Sequence, residues 1–213
     1  MKVNMDKYLG PAGVKCLPFI GEKYRDGGPC GLRVLALGES HYNENGKFGP
    51  GFTREVMKDI LDGKTNCRSY AYYTKVATLF SPDKASLSER AGFFKTIAFY
   101  NFIQEAIKKP RMRPTTKMWD NAQAPFEAVI KFLKPELVVV LGSALWDRIG
   151  ITTEPLPPVK LKNGKVAPMD YCEMDGHRCV FFGMSHPSLI GYDIWRPALQ
   201  AAIKRVSATK SNS

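Results

Sequence analysis

Several things are scarce in this chain, and each scarcity excludes something. No apolar run approaches the roughly eighteen residues that a membrane-spanning helix needs, and no leader pattern of basic, apolar and small residues opens the sequence. A soluble cytoplasmic protein without membrane contact is therefore expected. Cysteine occurs only at Cys16, Cys30, Cys67, Cys172 and Cys179, an odd number without a C-x-x-C pair. That pattern argues against a secreted disulfide framework and against a compact zinc or iron-sulfur site, so no metal or cofactor is expected. Neither a Walker lysine loop nor G-x-G-x-x-G follows any apolar run, which disfavours a nucleotide hydrolase or transferase. Negative charge is also scarce: 20 acidic residues face 31 lysines and arginines, for a net charge of +11.

That excess of positive charge favours a polyanionic partner, nucleic acid above all, because neutralising phosphates releases condensed counterions. With 213 residues, 44% of them hydrophobic, the chain reads as a single domain, expected to be monomeric, with enough length for a substantial core. Residues 1–30, rich in Gly, Pro and Lys with turn chemistry at Gly10-Pro11 and Gly27-Gly28-Pro29, read as an irregular lead-in, and 207–213 as a flexible tail. Four short apolar runs, Leu32 to Leu37, Thr96 to Tyr100, Glu136 to Leu141 and Arg178 to Phe182, are candidate buried strands. Helical patterns lie around 52–62, 69–80, 116–133, 142–149 and 192–206. This alternation predicts an α/β fold, a three-layer α/β/α sandwich around a central four-stranded parallel sheet. In such a sheet the functional crevice lies outside the carboxyl ends of the strands.

Polar and reactive side chains gather at those ends. The first strand runs into Gly38-Glu39-Ser40-His41-Tyr42, the second into Asn101, the third into Gly142-Ser143 and the fourth into Ser185-His186-Pro187-Ser188. Two of the three histidines, His41 and His186, stand at strand ends, where imidazole can donate a hydrogen bond or exchange a proton. Plainer roles compete at each position: Glu39 could favour a helix N-terminus, Asn101 could cap a helix beginning at Phe102, and His177 could be a surface residue. Phe93, Phe94, Phe181 and Phe182 read as core. Residues 43–66, rich in Gly, Lys and Asn, read as an excursion that either shapes access to the crevice or is a tolerated surface insertion.

The ordered series G-E-S-H-Y after the first strand, an asparagine after the second, K-P-E-L-V-V-V-L-G-S-A, and H-P-S-L before a terminal helix resembles the uracil-DNA glycosylase superfamily over roughly residues 30–206. The resemblance implies a DNA partner and hydrolysis of the bond between a flipped-out pyrimidine and its deoxyribose. It gives His186 the task of stabilising the oxyanion on the departing base, and Glu39 that of stabilising the cationic sugar or orienting water. It makes Asn101 the reader of the pyrimidine's Watson–Crick edge and Tyr42 an aromatic that crowds the base C5 position, with Ser40 and His41 in the same base-binding loop. Ser185 and Ser188 can hydrogen-bond phosphates, Leu189 or Ile190 sits where family members insert an apolar wedge, and the basic stretch Lys108 to Arg113 is either a phosphate-binding edge or a solvated helix end.

The sequence also departs from the family. Ser40 stands where the best-known branch carries a water-activating aspartate, and His41 where proline is usual. Glu39 matches the acid of the iron-sulfur branch, whose cysteine spacing is missing. Two alternatives follow: excision of a bulky modified pyrimidine of the kind found in some phage genomes, in anti-phage defence, or a DNA-binding module of the same fold without catalysis.

Overall fold

The computed structural model describes residues 5–28, 31–43, 48–64, 69–81, 83–109 and 112–210. Among them the apolar runs form a parallel set: β2 (Val34–Gly38), β3 (Ala98–Asn101), β4 (Leu137–Leu141) and β7 (His177–Met184). Gly38 pairs with Asn101, Leu37 with Val140, and Val140 with Gly183. The four expected strands thus lie side by side in the order β3-β2-β4-β7, with their carboxyl ends at one edge.

The sheet is nevertheless mixed and seven-stranded, not four-stranded and parallel. A two-residue strand, β1 (Phe19–Ile20), adds antiparallel to β3, and β6 (Val166–Met174) and β5 (Glu154–Lys160) extend the other side antiparallel to β7. Proline rules out a central position for β5, which carries Pro155, Pro157 and Pro158. It lies at the outermost edge, where amide donors are dispensable, and its register slips between Leu156 and Val159. The β6–β7 connection is the two-residue turn Asp175-Gly176. Both residues have positive φ (50° and 68°), the left-handed geometry that matches the twist of a hairpin.

Because neighbouring strand residues face opposite ways, the fully buried runs feed two cores. Val34, Ala36, Phe99, Val139 and Phe182 pack with α2 (Phe52–Leu61), α3 (Ser69–Phe80), α4 (Leu87–Phe94) and α7 (Tyr192–Lys210). Leu35, Leu37, Tyr100, Val138, Val140 and Phe181 pack with α1 (Met5–Leu9), α5 (Thr116–Leu133) and α6 (Ser143–Trp146). Helices therefore cover both faces of the sheet.

Residues 5–28 of the expected lead-in are part of the fold. Leu9, Val14, Leu17 and Tyr24 are buried in the second core, and β1 is paired. At the other end α7 continues to Lys210, so residues 207–210 of the expected tail are helical. Among the described residues no helix is long and apolar enough to cross a membrane.

Candidate functional site

The loops that leave β2 and β3 are laced together by their backbones. The N–H groups of Phe102 and Ile103 donate to the carbonyls of Gly38 and Glu39, and the Ile107 N–H to His41, each at 2.9 Å. Asn43 N–H returns to the Ile107 carbonyl at 3.0 Å, and Tyr42 bridges Ile107 in parallel. Residues 102–109 are thus drawn along the β2 loop, and Asn101 caps no helix.

Asn101 ends β3 directly beside Gly38 and is buried. Gln104 fixes its backbone: the Gln104 amide donates to the Asn101 carbonyl (2.9 Å), while its oxygen accepts from the N–H groups of Lys15 and Cys16 (3.1 and 2.9 Å). A Cβ placed on Gly38 would collide with Asn101 Oδ1 and meet the Tyr72 hydroxyl at 3.2 Å. Tyr72 comes from α3, and its ring also lies 5.5 Å from the His186 imidazole, centroid to centroid, at a 38° tilt. Through Gly38 and Tyr72 the ends of β2, β3 and β7 therefore meet at one place, with Glu39, Asn101 and His186 around it.

Electrostatics agree with this proximity. Burial pushes the Glu39 carboxyl above its ordinary value, while Arg113, with a guanidinium nitrogen 3.9 Å from Glu39 Oε2, acts in the opposite direction. Burial drives the Tyr72 phenol far above the ordinary tyrosine value, and the charges of Tyr73, Glu39 and Tyr42 add to it. His186 is held below its ordinary value, first by desolvation and then by the charges of Lys75 and Arg113. As a residue His186 is exposed, so the desolvation belongs to the part of the ring set against Tyr72.

The tautomer of His186 follows from its partners. The Ser188 backbone N–H, which can only donate, points at Nδ1 (3.2 Å), and the Ser188 hydroxyl lies 2.7 Å from the same nitrogen. Nδ1 is thereby an acceptor, and the neutral ring carries its proton on Nε2. Lys75 on α3 donates to the Ser188 carbonyl at 3.3 Å, tying this turn to the helix that carries Tyr72.

The remaining expected residues are distributed around this centre. Ser40 is half-buried beside Glu39 and Ser185 half-buried after β7, while Ser188 is exposed and Leu189 is 80% exposed. Tyr42 is 51% exposed. His41 is buried and makes its contacts with α2: Nε2 lies 3.0 Å from Thr53 Oγ1, and Phe52 packs edge-on at 4.9 Å. Burial lowers its pKa to about 4. Thr53 is also 3.0 Å from Cys16 Sγ, so a buried chain runs from the amino-terminal segment through Thr53 to the β2 loop. His177 is half-buried with Nε2 2.7 Å from the Pro135 carbonyl. In the basic stretch Lys108, Lys109 and Arg113 are exposed, and Pro110 and Arg111 lie outside the described residues. Residues 44–47, 65 and 66 of the expected excursion also lie outside them, and its middle forms α2.

Tyr72, Lys75, Arg113 and Gln104 are the site residues that the strand-end rule does not find. Tyr72 and Lys75 lie inside a helix, and the only signal they left was polar-tipped aromatic residues beside a lysine in an otherwise apolar helical pattern. Among the described residues no group of three or more His, Cys, Asp or Glu side chains is arranged to hold a metal ion.

The fold and the site together define a class: an α/β protein whose parallel strand ends bring a carboxylate, a carboxamide and a neutral imidazole to one polar centre. No protein-family model and no curated protein sequence matches the chain.

Proposed function

We propose that this chain is a monomeric, cytoplasmic DNA glycosylase that hydrolyses the N-glycosidic bond of a flipped-out uracil or related pyrimidine. The observation that carries the reading is the meeting of a neutral Nε2–H imidazole with a buried asparagine amide and a carboxylate at the carboxyl ends of one parallel strand set. Cleavage breaks the bond between C1′ and the base nitrogen, and the electron pair leaves with the base. Negative charge then collects on the pyrimidine oxygen, where the Nε2–H of His186 would donate to it. Positive charge collects on the sugar, where the Glu39 carboxylate would stabilise it or take a proton from the water that adds to C1′. Its raised pKa makes Glu39 a better base than an exposed carboxylate. The Asn101 carboxamide offers a donor and an acceptor to the base edge, as an extruded pyrimidine requires.

The test is abasic-site formation on uracil-containing oligonucleotides. Loss of the oxyanion donor in His186→Ala should lower the rate by about 10²–10³-fold, and Glu39→Gln should slow it comparably. Wild-type activity should fall toward acid as Glu39 gains its proton, with the limb shifted upward from the ordinary glutamate value by burial, and the Gln variant should lack that limb. Equal rates for the wild type and both variants would refute the assignment.

A second reading, excision of a pyrimidine with a large C5 substituent, is favoured by Tyr42. A tyrosine that crowds C5 should be enclosed with the base, yet half of this residue's surface faces solvent. Modified phage DNA assayed beside uracil DNA separates the two substrates. Salt-sensitive binding to both without abasic product would instead identify a non-catalytic DNA-binding module.

A further inference from the structure

Two cations converge on the candidate site from separate elements without a strong partner there. Arg113 is 79% exposed, against 18% for Glu39, and their 3.9 Å separation is an ion pair beyond hydrogen-bonding range. Its place in the chain is fixed nonetheless: the next residue, Pro114, is buried, and Thr115 caps α5 by accepting the Met118 N–H at 3.3 Å. Lys75 is anchored through α3 and, among the described residues, reaches only a backbone carbonyl at 3.3 Å. The charges of both act on His186, so both lie close to where a base would sit.

A nucleotide extruded toward His186 and Asn101 carries a phosphodiester on each side of its sugar. Those two charges must come to the rim of the site that holds the base. We propose that Arg113 and Lys75 clamp the phosphodiesters flanking the captured nucleotide, and that Arg113 leaves Glu39 to do so. Guanidinium matches a phosphate better than one distant carboxylate oxygen, and a cation this exposed can exchange its partner. In the free protein Arg113 thus shields Glu39. In the complex it passes that charge to the backbone and leaves the carboxylate unpaired beside the sugar. Glu39 then keeps the Tyr72 phenol of α3, whose ionisation its charge opposes, as a neighbour. The clamp rests on the DNA reading above for its ligand, but not on catalysis.

Binding of a short duplex carrying one tetrahydrofuran abasic-site analogue, measured against salt, tests the clamp. Each of Arg113→Ala and Lys75→Ala should flatten the dependence of log Kobs on log salt by about one phosphate's worth, a slope change of roughly 0.9. Lys162→Ala, on the exposed turn between β5 and β6, should leave the slope unchanged. Unaltered slopes in both site variants overturn the clamp even if excision is confirmed, whereas flattened slopes in a protein without excision uphold it and refute the glycosylase reading. The exchange is tested by carbon NMR titration of Glu39. Removing Arg113 should raise the Glu39 pKa in the free protein, and the difference between wild type and Arg113→Ala should vanish with the duplex bound. Its persistence in the complex would show that Arg113 stays on Glu39.

Discussion

At Gly38 a single hydrogen is all that the site can accept. The residue pairs with Asn101 across β2 and β3, and its α-carbon faces both the Asn101 amide oxygen and the Tyr72 hydroxyl. A methyl group there must displace one of them. Gly38→Ala is therefore expected to cost about 1–3 kcal/mol of stability through overpacking. Under the proposed function it should also lower base excision by about a hundredfold, because the amide would no longer meet the base edge in register. Thermal unfolding and steady-state excision read the two effects separately, and an alanine variant with full activity would remove Asn101 from the binding role. The strand-end residues that the structure brings together, Glu39, Asn101 and His186, were legible in sequence because each follows an apolar run. Tyr72 and Lys75 were not, because a helix interior leaves no periodic signal for where a side chain converges, and Arg113 was marked only as one member of a basic stretch.

Among elements, the joint between the β2 loop and α2 is the one that pH should loosen. His41 is buried against Phe52 and Thr53 with its pKa lowered to about 4, against an ordinary 6.5. The unfolded chain therefore binds a proton that the folded one refuses between those values, and stability rises with pH across that window. The stabilisation is complete above pH 6.5, amounts to about 3 kcal/mol, and is lost as pH falls toward 4. Denaturant titrations from pH 7 to 4 should show a shallower loss for His41→Gln than for the wild type, and equal slopes would mean that the ring is not buried neutral. The long helices were readable almost to the residue, α3 and α5 included; α5 shows why, since an amphipathic period of 3.6 is sustained along its whole length. The edge elements were not. Prolines at 155, 157 and 158 hide β5, a two-residue β1 carries no period, and the eight-residue α4, which the structure closes with a Ser86–Glu89 capping box, is too short for a sustained one. A strand-by-strand reading thus found the four parallel strands that present the site and missed the antiparallel ones that flank them.

On the scale of the whole molecule, the edge away from the site is closed by Glu136, just before β4. Its carboxylate accepts the Arg33 N–H at 2.7 Å and pairs with Lys210 at the end of α7 at 2.9 Å. Burial works against ionisation here, but the Arg33 N–H and Lys210 outweigh it and hold the pKa below its ordinary value. This contribution is accordingly present above the ordinary carboxylate range and lost as pH falls through the lowered pKa. Lys210→Ala should destabilise by about 0.5–1 kcal/mol at pH 7, a shift of roughly 1–4 °C in Tm, and by less at pH 3. Excision should be unchanged, and a variant with the wild-type Tm would show that the tie contributes nothing. The lacing of the β2 and β3 loops has a mechanical consequence at the opposite edge. Glu39 and Asn101 belong to a doorpost, fixed by the sheet and by the backbone rungs beyond it. On the facing side the His186–Ser188 turn is held by α3, through the Lys75 ammonium on the Ser188 carbonyl and the Tyr72 ring against the imidazole. The carboxylate and the amide thus have their spacing set by the sheet, and the imidazole has its place set by a helix.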